Sequence, residues 1–226
     1  MISVVIPTLN EESLIARCIT SVKSERADCE IIVADGGSSD GTQAAAEIFP
    51  DVSVIRAARG RGGQMNAGAA AAKGNVLLFL HADTVLQEGW STELQSASEE
   101  KGIAGGAFTF RIDYPAGRYR LTEYWVNLRC RLFSLPYGDQ GIFIKRDTFE
   151  ALGGYKEIPL MEDVDIVERM KVLGRIAILK KEACVNPRKW VREGWVRTSV
   201  RNQLIMLLYR LGADPSYLAR LYYGGP

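Results

Sequence analysis

The first hundred residues alternate short apolar runs with stretches of helical or small-residue character. Four apolar runs predict buried strands, at residues 2–6, 30–34, 52–56 and 76–80. Helical patterns lie between them, at residues 13–22, 43–48 and 64–73. Strands that alternate with helices predict βαβ units, and therefore a parallel sheet covered by helices on both faces.

The second half is less regular. Three further strands are predicted, at residues 107–112, 142–144 and 175–179, and two further helices, at 116–133 and 163–173. Apolar residues from Val200 onward predict a helix that Gly212 ends, and Asp214-Pro215 is typical of the start of another. Because repeats and a low-complexity linker are both absent from the sequence, we expect one α/β domain over 1–190 with a C-terminal helical segment over 191–226.

Polar residues follow each of the first four predicted strands. They are the segments 8–12, 35–40, 59–66 and 81–83, while the strand interiors carry no charge. Ligands of parallel sheets bind at the carboxyl ends of the strands, so we expect a binding site where these segments meet.

Composition narrows the class of protein. The chain has 226 residues, 47% of them hydrophobic and 24% charged, which excludes disordered and fibrous classes. A net charge of +1 disfavours a binder of nucleic acid, and no apolar run approaches the length of a membrane span. Four cysteines without metal-type spacing read as reduced thiols, so we expect a cytoplasmic protein.

The small net charge conceals an asymmetry. Residues 186–226 hold seven basic and two acidic side chains together with six aromatic ones. Two interpretations of the segment 197–226 stay open: its helices close over the core, or they lie on an anionic membrane surface.

Three acidic clusters are candidates for chemistry, each with a purely structural alternative. Asp35 ends a buried strand, where a carboxylate needs a donor such as a base N–H or a ribose hydroxyl, unless it only shapes a turn. His81 and Asp83 suit a divalent cation, although His81 is equally explained as a hydrogen-bonded structural residue. The acids of 162–165 either complement a helix dipole or supply a general base. The loop 59–63 offers positive charge and flexible backbone to a phosphate.

Four segments, in the order of the chain, resemble the family 2 glycosyltransferases: Val5–Glu12, Val33–Thr42, His81–Asp83 and Glu162–Asp163. The resemblance covers Ile2 to about Arg192, and the length and tail look like the small radical-SAM/selenodomain-associated transferase 2 subgroup. It implies a GT-A fold: a Rossmann-like, mostly parallel sheet flanked by helices, with a C-terminal helical appendage.

The resemblance also implies roles for individual residues. The nucleotide would be bound by Thr8, Glu11, Asp35, Gln64 and Asn66. Asp83 would bind Mn²⁺ or Mg²⁺ with His81, which replaces the family's usual first aspartate. Asp163 would be the catalytic base, and the acceptor side would be formed by Asp139, Gln140 and Glu162. The leaving diphosphate would be assisted by Arg188, Lys189 and Arg192.

We therefore expect an inverting, metal-dependent transferase that uses a UDP- or GDP-type sugar. Its acceptor would be a hydroxyl group or, if the tail contacts the inner face of the cell membrane, a lipid-linked one such as a polyprenyl phosphate. The alternatives are a catalytically silent nucleotide-sugar binding protein and, less favoured, a sugar-phosphate nucleotidyltransferase. A Rossmann dehydrogenase is disfavoured because Gly-x-Gly-x-x-Gly does not follow the first strand. A homodimer is left open.

Overall fold

The computed structural model describes residues 1–25 and 27–224. These residues form an eight-stranded sheet with helices on its faces. The strands are β1 (Ile2–Thr8), β2 (Cys29–Asp35), β3 (Val52–Arg56), β4 (Val76–Phe79), β5 (Thr84–Leu86), β6 (Ile103–Ile112), β7 (Ile142–Lys145) and β8 (Arg175–Val185). The helices are α1 (Glu12–Lys23), α2 (Thr42–Glu47), α3 (Arg61–Ala71), α4 (Trp90–Glu99), α5 (Gly117–Phe133), α6 (Arg146–Ala151), α7 (Glu162–Leu173), α8 (Arg188–Glu193), α9 (Trp195–Arg210) and α10 (Pro215–Tyr223).

The N-terminal half of the sheet is parallel. Its strand order is β3-β2-β1-β4, and every residue of β1 is buried. The β1–β2 register sets Thr8 opposite Asp35, the last residues of the two strands. The predicted polar segments therefore start from one edge of the sheet.

The remaining strands extend the sheet in the order β7-β6-β8-β5. Four of the seven strand pairings are parallel, because β6 and β8 also pair in parallel while β4–β7, β7–β6 and β8–β5 are antiparallel. In the antiparallel β4–β7 pair, Phe79 lies opposite Ile142. The loop before β7 is consequently brought next to the segment that follows β4.

Apolar side chains pack on both faces of the sheet. Ile6 and Leu78 belong to a buried cluster that includes Ile15 of α1 on one face, while Val5 and Leu77 belong to a second cluster that includes Met65 of α3 and Ile166 of α7 on the other. Helix α3 comes close to β1 because Gly68 has no side chain: a Cβ atom there would lie 2.2 Å from Cγ1 of Val5. The small-residue composition of α3 is therefore a packing requirement.

The mostly parallel α/β sheet predicted from the sequence is confirmed, but several details differ. Elements β5, α4, α6 and α8 were missed, and β6 begins at Ile103 rather than at residue 107. Glycines in β6 weakened the strand signal, yet they fit close neighbours: a Cβ at Gly106 would lie 2.1 Å from the carbonyl oxygen of Ala177. Residues 81–83, which follow β4, form a turn in which the Thr84 N–H donates to the His81 carbonyl at 3.1 Å.

The C-terminal segment is helical and packs on the body of the protein. Ile205 and Leu218 form a buried cluster with Leu160, and Met206 joins the core beneath α7. Helix α8 crosses the predicted boundary at residue 190, so the two-part division stays a prediction; the last two residues of 191–226 lie outside the described part. Over the described residues, no helix has both the length and the apolar character needed to cross a membrane.

Candidate active site

Asp35 is fully buried where β2 ends. Its carboxylate accepts hydrogen bonds from Thr8, Ser38 and Gln43 side chains and from the backbone N–H groups of Gly37 and Ser38. Burial alone would raise the pKa of Asp35, but the hydrogen bonds from Ser38, Gln43 and the loop backbone hold it below its ordinary value. The protein itself thus supplies hydrogen-bond donors to the Asp35 carboxylate, where we expected donors from a ligand. The nucleotide-binding role of Asp35 and Thr8 stays a prediction.

The two amides assigned to the nucleotide pocket bind backbone groups instead. The Gln64 amide is buried and donates to the carbonyls of Thr8 and Ala34, at 2.7 and 2.8 Å. The Asn66 amide exchanges hydrogen bonds with the backbone of Tyr155, at 2.8 and 2.9 Å. Gln64 therefore supports the floor of the predicted pocket, and Asn66 holds the loop before α7; their roles in nucleotide binding stay predictions.

Glu11, Asp83 and Arg188 meet although they are far apart in the chain. The Arg188 guanidinium donates to Glu11 and lies 3.5 Å from Oδ2 of Asp83. Burial raises the pKa of Glu11, against the lowering effect of Arg188. The segments after β1, β4 and β8 are joined at this point.

His81 and Asp163 lie on either side of Gly138. A Cβ atom at Gly138 would be 3.1 Å from Nε2 of His81 and 3.3 Å from Cβ of Asp163. The Gly138 N–H donates to Oδ2 of Asp163 at 2.7 Å, which fixes the orientation of this carboxylate. Burial, reinforced by the charge of Arg61, lowers the pKa of His81, so its imidazole is neutral near pH 7.

Asp139 carries a carboxylate oxygen, Oδ1, that is buried and has no hydrogen-bond partner in the described protein. Burial raises the pKa of Asp139 to about 7; Arg129 opposes that rise, whereas Asp163 and Asp83 add to it. The next residue, Gln140, is fully buried and donates to the Phe108 carbonyl at 3.0 Å, so it anchors the loop, and its acceptor-side role stays a prediction.

Glu162 is 2% exposed and forms an ion pair with Arg61 at 3.2 Å. Burial raises the pKa of Glu162, and the Arg61 charge opposes that rise. The same guanidinium donates to the Tyr223 hydroxyl at 3.0 Å. Arg61 therefore connects the acidic pair at the start of α7 to the final helix.

Two of the cations assigned to the diphosphate differ in their surroundings. The Lys189 ammonium lies 4.0 Å from the centre of the Tyr222 ring, which Arg201 also approaches, and burial lowers the pKa of Lys189 to about 8. Arg192 pairs with Glu193 at 2.8 Å, with 78% of its side chain exposed. Arg192 is therefore mostly exposed and paired within α8, and its role at the diphosphate stays a prediction.

The protein by itself does not offer a complete metal cage. Within residues 1–25 and 27–224 there is no group of three or more His, Cys, Asp or Glu side chains that could hold a metal ion. However, the carboxylates of Asp83, Asp139 and Asp163 lie close enough to influence one another, and the buried Oδ1 of Asp139 lacks a partner. The unpartnered oxygen of Asp139 fits a divalent cation that takes its remaining ligands from phosphate oxygens and water.

The sequence model of glycosyl transferase family 2 matches residues 3–153, more than half of the chain. The chain belongs to glycosyl transferase family 2. Among curated relatives of this family 2 member, the PGL/p-HBAD biosynthesis glycosyltransferase of Mycobacterium bovis is 38% identical over 166 residues, which are 69% of this chain and 63% of the relative. An uncharacterized glycosyltransferase of Nostoc is 39% identical over 94 residues, 37% of this chain and 28% of that protein. The chain therefore spans less than two thirds of these relatives.

Solved structures share the fold of this family 2 member. The mannosyltransferase PcManGT from Pyrobaculum calidifontis, in complex with GDP-Man and Mn²⁺, matches all of the chain and 70% of its own length, with a TM-score of 0.66 and 19% identity. TarS of S. aureus in complex with UDP-GlcNAc matches 81% of the chain and 58% of its own length, with a TM-score of 0.59 and 16% identity. The GT-A architecture implied by the sequence resemblance is confirmed; the resemblance to the small subgroup stays a prediction.

Sequence reasoning did not single out the aromatic residues that reach the family 2 site from the tail. Tyr222 and Tyr223 follow about 140 residues after the turn at His81, so no local motif connects them to it. The one feature of the sequence that pointed to these two tyrosines was the unusual basic and aromatic composition of residues 186–226. Arg61 was noted merely as one charge in a glycine-rich loop.

Proposed function

We propose that the protein transfers a sugar from a nucleotide-diphosphate sugar to an acceptor hydroxyl or polyprenyl phosphate. The observation that carries the proposal is that His81 and Asp163 flank Gly138, the residue before Asp139, while Arg188 joins Asp83 to Glu11 beyond the end of β1. Family membership supports it, as do relatives named glycosyltransferases.

The donor lies along the ends of β1, β2 and β4 in this proposal. Asp35 and Thr8 face the nucleoside, and one of the donors now bonded to Asp35 exchanges for a ligand hydroxyl or base N–H. Arg188 and Lys189 offer positive charge to the diphosphate. Arg188 is held between Glu11 and Asp83, so its charge is already placed before the donor binds.

Asp83, with the neutral imidazole of His81 beside it, would hold a divalent cation. That ion, Mn²⁺ or Mg²⁺, would neutralise charge on the leaving diphosphate. Support comes from the unpartnered carboxylate oxygen of Asp139 and from a structural neighbour described with Mn²⁺.

Asp163 is the base that accepts the proton of the acceptor hydroxyl. Both of its oxygens already accept backbone N–H groups, from Gly138 at 2.7 Å and from Val164 at 2.8 Å, which orient the carboxylate. A base on the side of the sugar opposite the leaving group predicts inversion at the anomeric carbon. Such a base contributes about 10²–10⁴ in rate.

Thermal shift with UDP- and GDP-sugars, each with Mg²⁺, Mn²⁺ or chelator, tests donor binding. We expect one nucleotide to stabilise the protein in a metal-dependent way, and Asp83→Asn to abolish the metal-dependent part. The control is Asp147→Asn, which removes an exposed carboxylate of α6. Stabilisation by none of these donors overturns the proposal.

Turnover tests the base. We expect Asp163→Asn to lower kcat by about 10²–10⁴ while the donor-induced thermal shift persists. Glu168→Gln, on the same helix with a half-exposed side chain, should retain wild-type turnover. Wild-type function in Asp163→Asn, together with loss of function in Asp35→Ala, would favour the silent binding protein instead.

A lipid-linked acceptor is the finer part of the proposal. It is supported by the position of the tail: Tyr223 contacts Arg61, which pairs with the Glu162 assigned to the acceptor side. An acceptor carried by a membrane would approach the base from this side.

A further inference from the structure

Helix α5 exposes its apolar stripe to solvent. Leu121, Trp125, Leu128 and Leu132 fall within an arc of about 60° on a helix of 3.6 residues per turn. Trp125 is 59% and Leu132 65% exposed, whereas the residues on the opposite side of the helix, Tyr119, Glu123 and Cys130, are buried. This orientation is the reverse of that expected for a surface helix, whose apolar stripe faces the core.

Helix α9 shows the same reversal. Its outward apolar residues span an arc of about 80° and are Val196, Val200, Leu204, Leu207 and Leu211. Leu204 is the least exposed of them at 46%, and the opposite side of the helix is buried through Thr198 and Ile205. The core contacts of α9 are thus made by the opposite face of the helix, and the outward stripe remains exposed to solvent.

Helices α5 and α9 adjoin, and one groove reaches Val196 of the α9 stripe and Arg118 beside the α5 stripe. The Trp195 indole N–H, at the start of α9, donates to the Thr122 hydroxyl of α5 at 2.8 Å. A groove of about 440 Å³ runs between the two helices, with Arg118 on one wall and Trp190 and Val196 on the other. Tyr124, Val191, Tyr217 and Leu221 add further exposed apolar area on the helices of this surface.

This surface is strongly basic. Residues 117–133 and 188–223 together hold eleven Arg and Lys against three Asp and Glu, a net charge of +8 in a protein whose total is +1. Arg118, Arg131, Arg197 and Arg210 flank the stripes, and none forms a salt bridge with a residue of the described part. Apolar stripes edged by arginine, with tryptophan and tyrosine among them, suit the boundary between acyl chains and anionic headgroups.

We propose that α5 and α8–α10 together form a docking surface for a bilayer rich in anionic lipid. The sequence pointed only to 197–226; the structure adds α5, which adjoins α9 across the groove. A second copy of the chain is a poorer occupant, because the arginines that flank the stripes would face their own copies and the like charges would repel. The inference does not depend on the proposed chemistry.

Sedimentation with vesicles tests the surface. The full chain should pellet with vesicles of equimolar phosphatidylcholine and phosphatidylglycerol, bind less to vesicles of phosphatidylcholine alone, and be released in part by high salt. No binding to the anionic vesicles would overturn the proposal.

Matched variants locate the contact. The double variant Trp125→Gln/Leu204→Gln removes one exposed apolar side chain from each stripe, and binding should weaken about tenfold for each substitution. The control is Ile48→Gln/Val172→Gln, since these side chains are 74% and 85% exposed on other helices. The control should bind like wild type; equal binding by the stripe variant would refute the assignment.

Two further measurements separate the explanations. Sedimentation equilibrium without lipid should show a monomer, and a dimer that the stripe variant dissociates would give this surface to a second copy. Donor-induced thermal shift should be unchanged in the stripe variant. A protein that binds the donor but no vesicles refutes only the surface, whereas one that binds vesicles but no donor refutes only the proposed chemistry.

Discussion

Replacing Asp139 by asparagine should stabilise the ligand-free protein at alkaline pH, although the residue lies at the centre of the candidate site. In the folded state, burial raises the pKa of Asp139 from 3.8 to about 7. The folded protein therefore holds a proton that the unfolded chain has lost between about pH 4 and pH 7, so stability falls as the pH rises through this range. Asparagine does not titrate and avoids this loss.

The magnitude follows from the size of the shift. A difference of about 3 pKa units corresponds to about 4 kcal/mol at pH 8. Because the residue keeps part of its surface in solvent, screening reduces this figure, and we expect about 2 kcal/mol. In a chain of this length, 2 kcal/mol raises Tm by about 4–8 °C. At pH 5 the gain should be less than half as large.

Urea denaturation in the presence of chelator measures the effect at pH 8 and at pH 5. Asp147→Asn serves as the control, because that carboxylate is exposed and should change stability little at either pH. A gain of equal size at both pH values would mean that the amide acts through a new hydrogen bond. A variant no more stable than wild type at pH 8 would refute the reasoning.

Three other predictions follow from packing and charge. Gly68→Ala should lower the free energy of unfolding in urea by about 1–3 kcal/mol, because its methyl group would meet Val5. The control on the same helix is Gly63→Ala, whose methyl group would lie 3.6 Å from the Glu157 side chain, and this variant should be no less stable than wild type. Affinity for the nucleotide diphosphate, measured by calorimetry, should fall as the pH rises past about 8, where Lys189 loses its charge, and Lys189→Arg should abolish that fall. Burial raises the thiol pKa of Cys18, so mass spectrometry after iodoacetamide treatment should find this residue alkylated in urea but not in the native protein.

The alternation of apolar runs was sufficient to predict the parallel half of the sheet, because buried parallel strands are apolar throughout. The same rule failed for β6, where glycines that accommodate neighbouring backbone do not look like a strand. It also failed for β5, three residues long and paired with the distant β8. Short elements of this kind are specified by their neighbours in space.

The candidate site was predictable where each strand ends, since strand order brings Thr8 beside Asp35. It was less predictable for amides. Gln64 and Asn66 follow a glycine-rich loop as ligand-binding residues do, yet both are occupied by backbone groups that belong to other segments. A sequence displays the hydrogen-bonding capacity of a side chain but not the partners that tertiary structure assigns to it.

The position of Arg61 has a consequence for how the two ends of the chain communicate. One guanidinium serves both the Glu162 carboxylate and the Tyr223 hydroxyl. Moving the last helix would therefore change the electrostatic environment of Glu162, an acid that adjoins Asp163. A coupling of this kind between the basic surface and the candidate site would act equally in both directions, because linkage between two binding equilibria is reciprocal.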